Sequence, residues 1–424
     1  MRNLPLLIVC LLMLAPSASF GQQIEATEGP GKYANYGEIL ITTSGWYNGV
    51  ERFSNYYDST TNKTGKVSIN SGGVLRNREL TSSGADVRFE NRAQFFVTDS
   101  GGAGVFNNDG FFLNSGNAGF FQNNGGTVNN SITGTIQNLA GLANSTQGLS
   151  NKSGKFVNQG TVINGLNGEV VSPDALFNNL SAGEFDNQKI FDNYAVANNH
   201  GQFNNQLDGV LTNYSPGTFT NMAGARIRNE GSLVNDGTFV NNGVINNNNA
   251  SGTLVGRITN NGTWKGTSTV TGNMTDSGTM AVGNSVGSHV IDGDYFKVGG
   301  SKHVELAGLF DGGGDQSLTE YDWLEVTGDV ELAGTLDVEL MAGFELHRGY
   351  SFTTLRVGGT LTGQFDGLGE GDVVGNFGGQ DLFISYVAGD GNDIGLFTNA
   401  VPEPNTALVW SLLAGLGLTV RRRR

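Results

Sequence analysis

Cysteine is almost missing from this 424-residue chain, which has one, Cys10. The rest of the protein can therefore hold no disulfide and no thiol chemistry, and must be stable by packing alone. Proline is scarce as well, seven residues in all, and without a Gly-X-Y period this excludes collagen. Charged residues make up only 15%, with a net charge of −15. Binding phosphates needs a basic face, so nucleic acid is not an expected partner. The four histidines, His200, His289, His303 and His347, are scattered without metal-ligand spacing. No Gly-x-Ser-x-Gly elbow and no Ser-His-Asp order appears. What the chain does have is 66 glycines and 48 asparagines. Such a composition is rich in turns and argues against a helical bundle. A hydrophobic content of 38%, with 25 phenylalanines, is too apolar for a disordered chain. An all-β protein with many turns is left, long enough for two or three domains.

The two ends read as addresses. Residues 1–21, MRNLPLLIVCLLMLAPSASFG, join a basic Arg2, a short apolar stretch and small residues, with cleavage expected between Gly21 and Gln22. This is a secretory signal peptide. The far end carries VPEP (401–404), an apolar segment (407–420) and Arg421, Arg422, Arg423 and Arg424. The segment has about 14 residues against the roughly 20 of a comfortable transmembrane helix, and the arginines would stop translocation. The three features in this order resemble the PEP-CTERM sorting signal of Gram-negative bacteria. The resemblance implies recognition of Pro402, Glu403 and Pro404 by a membrane exosortase after transient inner-membrane insertion. It also implies a host that makes exopolysaccharide.

Between these ends lies a repeat. Gly-x-apolar-x-Asn occurs sixteen times between residues 73 and 260, as in GFFLN (110–114), GKFVN (154–158) and GTFVN (237–241). Its starts are locally six or eight residues apart, which keeps the apolar residue in phase with a period-2 strand. Each unit is read as one short strand with an inward anchor: Phe112, Phe121, Phe156, Val162, Phe203, Leu211, Phe219, Leu233, Phe239 or Ile245. Glycine is expected to supply corner dihedrals, and asparagine to form corners and stacked ladders. Strands this short are not stable alone and must stack coil on coil. Residues 65–284 are therefore expected to form a β-solenoid, a right-handed parallel β-helix. With about 20 residues per coil, it would hold about eleven coils at about 4.8 Å each. Residues 22–64, with Trp46, Tyr47, Tyr56 and Tyr57, are read as an N-terminal cap.

The composition changes near residue 285. No asparagine occurs between 285 and 375, and residues 285–400 hold 19 acids against Lys297, Lys302, Arg348 and Arg356. This acidic C-terminal β domain alternates apolar and polar residues through WLEVTGDVELAGTLDVEL (323–340). Its stretches 283–295, 321–340 and 383–396 resemble the C-terminal part of autotransporter passenger domains, which in that family caps a right-handed β-helix. GDGND (389–393) is similar to part of a calcium-binding nonapeptide, but no second copy follows, and a tight turn is the expected reading.

The function expected is that of an exported, non-enzymatic structural or adhesive protein of the cell surface or extracellular matrix, associated with exopolysaccharide and without cofactor or metal. The alternatives are a β-helix polysaccharide lyase or hydrolase, or a glycan- or ice-binding protein. A hydrolase would need paired acids on adjacent coils; Asp186, Asp192 and Asp208 are the nearest candidates, read as solvated turn residues. Ice binding would need a regular Thr or Asn face, and TSTVT (267–271) is the only dense Thr stretch.

Overall fold

A computed structural model describes strand segments between Gln23 and Thr98 and, with short gaps, residues 104–399. All of its regular structure is β, with no α-helix among the described residues, and the strands stack in parallel as a β-solenoid. The chain divides into two compact units, Met1–Arg257 and Ile258–Arg424.

In the first unit each coil presents three strand faces, two of which are joined in a single longer strand in some coils, as in Leu176–Asn187. One coil consists of Ile190–Asn193, Val196–Asn199 and Gln202–Asn205; the next consists of Val210–Asn213, Thr218–Asn221 and Arg226–Asn229. Each strand pairs in parallel and in register with its counterpart one coil on, so that Phe191 meets Leu211, Ala197 meets Phe219 and Phe203 meets Ile227. Parallel pairing is already present in Lys32–Asn35, Glu38–Ile41 and Trp46–Asn48, within the segment read as a cap.

A four-residue strand points two side chains inward, at its second and fourth positions. The second is the apolar anchor, and every anchor expected from the repeat is buried. In-register stacking places like rings over one another. Phe95 and Phe121 stack 5.2 Å apart with nearly parallel rings, as do Phe219 and Phe239 at 5.3 Å.

The fourth position is the asparagine, also buried, and it forms three ladders. On the first face the amides run from Asn91 through Asn114, Asn138, Asn164, Asn193 and Asn213 to Asn235. On the second they run from Asn123 through Asn151, Asn179, Asn199 and Asn221 to Asn241. On the third they run from Asn108 through Asn130, Asn158, Asn187, Asn205 and Asn229 to Asn247. At every step Nδ2 of one coil donates to Oδ1 of the next, over 2.6–2.9 Å. The second Nδ2 hydrogen commonly reaches a backbone carbonyl where the next coil turns, as from Asn158 to Ile190 O at 2.7 Å and from Asn205 to Ser232 O at 2.8 Å. Oδ1 often accepts the amide two residues on, as from Gly160 and Gly243. One side chain thus satisfies the turn's buried backbone groups as well as its own.

Two expectations change here. The asparagines are strand residues facing inward and do not form left-handed corners. Most motif glycines are also needed for a different reason. A Cβ on Gly160 would sit 2.2 Å from Gly134 O, and one on Gly231 would sit 2.1 Å from Gly209 O; neither glycine has a positive φ. Glycine is required because the coils approach too closely for any side chain. Coil length also varies, with successive ladder asparagines 18 to 29 residues apart.

The second unit keeps the parallel stacking through Ser288–Asp292, Trp323–Val326 and Ser351–Val357 on one face. The compositional break near 285 falls inside it. Its last coil is closed by an antiparallel sheet of Val373–Phe377, Gln380–Ala388 and Asp393–Phe397, the last strand pairing back onto Ser351–Val357. This arrangement covers an edge that would otherwise be open to further pairing.

Replacing Asn179, in the middle of its ladder, with alanine leaves the Asn151 amide and the Gln202 carbonyl without their partner. Asn179→Ala should lower stability by about 2–4 kcal/mol. Asn198→Ala, on the outward side of the same face, loses one half-buried hydrogen bond to Asn178 and should change it by only about 1 kcal/mol or less. Denaturant midpoints of the two variants check this; equal shifts would contradict the buried ladder.

Candidate functional site: the outward faces and the buried charges

With the interior of the first unit filled, its chemistry lies at the outward positions. Asp186 belongs to the third face, where Lys155 Nζ lies 2.8 Å from its carboxylate and Asn204 donates to it at 2.7 Å. Asp192 stands on the first face, and burial pushes its carboxyl up. Asp208 is an exposed turn residue. The two acids nearest to a hydrolase pair therefore stand on different faces of the coil. Beside Asp192, Tyr194 and Tyr214 stack at 4.4 Å, and burial, helped by the neighbouring Tyr214 and Asp192, pushes the Tyr194 hydroxyl up. The outward residues vary from coil to coil: Ile163, Asp192, Thr212 and Val234 follow one another in register. In TSTVT, Ser268 and Val270 are buried and Thr267, Thr269 and Thr271 face outward, but Thr271 pairs with Asp292 on the next coil, so the threonine row does not continue there. The side chains of Trp46, Tyr47, Tyr56 and Tyr57 lie outside the described residues.

In the second unit the inward amide is replaced by charge. Asn260 donates to Asp276 Oδ1 at 2.7 Å, and the other carboxylate oxygen accepts from Tyr295 at 2.7 Å and from Lys297 at 2.8 Å. Lys297 Nζ also reaches Gly278 O at 2.7 Å. All four side chains are buried. This cluster has the hydrogen bonds a buried ion pair requires, and its register explains why the asparagines stop: the strand end beyond Asp276 is Lys297, and Val330–Leu332 ends on a buried leucine.

Three more ionisable groups lie inside the stack. His289 is fully buried, and burial, with Lys302 nearby, lowers its pKa to about 3. Burial lowers Lys302 to about 8 and raises Asp322 to about 7. Asp322 accepts from the amides of Gly287 at 2.7 Å and Glu305 at 2.9 Å, so it ties two segments together.

On the outer side of Ser301–Leu306 and Thr335–Leu340, His303 stands beside Asp337 and Glu305 beside Glu339. His303 Nδ1 lies 3.0 Å from Asp337 Oδ2, while Nε2 lies 3.7 Å from both Glu305 Oε1 and Glu339 Oε2. The ligand atoms of His303, Glu305 and Glu339 are mutually within 4.8 Å, a spacing that suits a metal ion. The sequence reading missed this group: His303 and Glu305 alternate on one strand, but their partners lie 34 residues on, where only the coil register finds them. GDGND forms the turn between the last two antiparallel strands, with Asp393 accepting from Val357 N and Asn392 donating to Val357 O and Gly359 O.

No protein-family model matches the chain, and no curated protein matches it in sequence. Gly21, Gln22, Pro402, Glu403, Pro404 and the arginines 421–424 lie outside the described residues, as does the apolar segment 407–420. Among the described residues no helix is long and apolar enough to cross a membrane.

The buried charges make the second unit sensitive both to substitution and to pH. Lys297→Met strands the Asp276 carboxylate and should cost about 3–5 kcal/mol. Adding Asp276→Asn should recover most of this, because a neutral amide there can accept from Asn260 as the other ladder residues do. Chemical denaturation of both variants reads the difference. For His289, the unfolded chain takes up a proton below about pH 6.5 while the folded chain does not until about pH 3. The stability this group supplies is present above about pH 6.5 and is lost as the pH falls, at about 1.4 kcal/mol per unit. His289→Leu should remove about 2 kcal/mol of the destabilisation measured between about pH 6.5 and 5; an unchanged pH slope would refute the assignment.

Proposed function

We propose that the chain is an exported structural or adhesive solenoid of a Gram-negative cell surface or extracellular matrix. On this reading it is sorted by an exosortase-type membrane protein acting at Pro402, Glu403 and Pro404 and is associated with extracellular polysaccharide. The observation that carries the reading is a folded middle whose interior is filled coil after coil by asparagine amides and aromatic rings, set between termini whose sequences resemble an export signal and a sorting signal. A stack held this way supplies stiffness and an extended outward surface, the properties a matrix or adhesive element needs. The placement of Asp186 and Asp192 on different faces supports a non-enzymatic role over a hydrolase. The stretches that resemble autotransporter passengers fall on the last coils and the closing sheet, and this supports a terminating role for that region.

The apolar segment with its four arginines is proposed to hold the exported chain briefly in the inner membrane, until the sorting enzyme acts on Pro402–Glu403–Pro404. Deleting residues 401–424 should abolish the processed, surface-retained form and shift the protein to the periplasm or medium, as read by cell fractionation and immunoblotting. Unchanged fractionation and mobility would overturn the sorting role.

A further inference from the structure

The group on the outer side of Ser301–Leu306 and Thr335–Leu340 has a feature that the solenoid itself does not explain. The Glu305 side chain is only 19% exposed, yet its Oε2 has no hydrogen-bond partner and its Oε1 meets only His303 Nε2, at 3.7 Å. A mostly buried carboxylate without a hydrogen bond is costly. Glu339 brings a second carboxylate to the same imidazole nitrogen at 3.7 Å, and Asp337 a third charge to the other nitrogen. Among the described residues no lysine or arginine pairs with any of the three acids. The preceding coil places Ala281 in register with His303 and brings no charge.

We propose that His303 Nε2, Glu305 and Glu339 bind a divalent transition-metal ion of the zinc class, with Asp337 as a positioning residue. Donors about 2.1 Å from a shared zinc ion lie at most about 4.2 Å apart. The 3.7 Å separations from Nε2 to each carboxylate are too long for hydrogen bonds and lie within that limit, and the two carboxylates, within 4.8 Å of each other, close onto a shared ion with a small side-chain shift. With Asp337 accepting from Nδ1–H, Nε2 presents its lone pair to the two carboxylates, which is the orientation of a carboxylate–histidine–metal arrangement. An imidazole donor selects zinc-class ions over calcium or magnesium, which prefer oxygen throughout. Because Glu305 and Glu339 sit on successive coils, the ion bridges two turns of the second unit. The site is solvent-accessible through Glu339, 61% exposed.

The test uses the full chain, treated with chelator and then dialysed against zinc sulfate at micromolar concentrations. Bound zinc is counted by elemental analysis, and the melting temperature is read alongside. The expected result is one zinc per chain and a raised melting temperature, with zinc retained in hundredfold excess calcium or magnesium. His303→Gln and Glu339→Gln should each weaken binding at least tenfold while leaving the metal-free circular dichroism and melting temperature unchanged. Glu339→Gln is the safer variant for folding, since its side chain is exposed. Asp337→Asn should weaken binding about 10–100-fold, and His347→Gln, at an exposed site elsewhere, should have no effect. Failure to retain zinc, equal affinity in His303→Gln, or displacement by calcium would each overturn the proposal.

Discussion

The buried asparagine amide is the interaction on which this protein depends. It carries two donors and an acceptor with two lone pairs, and in the first unit those groups are shared among the coil above, the coil below and the turns between them. A polar group without a partner inside a protein is costly, so each asparagine requires another in register. One ladder shows what happens where this requirement lapses: Val97 occupies the position that pairs with Asn123, and Asn123 Oδ1 is left without a partner. The second unit resolves the same difficulty with charge. Asp276 takes the amide of Asn260 on one oxygen and Tyr295 and Lys297 on the other, and the next strand on that face ends on the buried Leu332.

Much of this was legible in the sequence because a period of two on a strand is a strong signal. The anchors from Phe112 to Ile245 could be named individually, and all are buried. The roles of glycine and asparagine were less legible. Both residues are common at corners, and although the two-residue spacing puts the asparagine on the anchor's side of a strand, nothing in Gly-x-apolar-x-Asn fixes whether the strand runs on to the asparagine or has already turned. Only in-register pairing with the next coil separates these readings, and the spacing between partners varies with the length of the loops.

The same limit hid the charged groups of the second unit. His303, Glu305, Asp337 and Glu339 belong in the sequence to two unrelated polar–apolar alternations. They come together because Ser301–Leu306 and Thr335–Leu340 stack with an offset of 34 residues, a number set by the excursion between them. Part of that excursion is fastened by Arg356, which lies 4.1 Å over the Trp323 ring and 2.8 Å from Asp311. Asp276 and Lys297 were likewise indistinguishable from surface charges until the register placed them inside.

Beyond Thr98 every described strand of the first unit ends on asparagine, and each ladder step runs from Nδ2 to Oδ1 in the same direction along the chain. The coils are therefore interchangeable at their boundaries. Excising one whole coil would present the preceding asparagines with acceptors in the positions they already use, whereas excising part of a coil would mismatch the ladders. Such a chain can change its length in whole coils while keeping its ladder contacts. A descendant with fewer or more coils would inherit the same interior and differ mainly in reach.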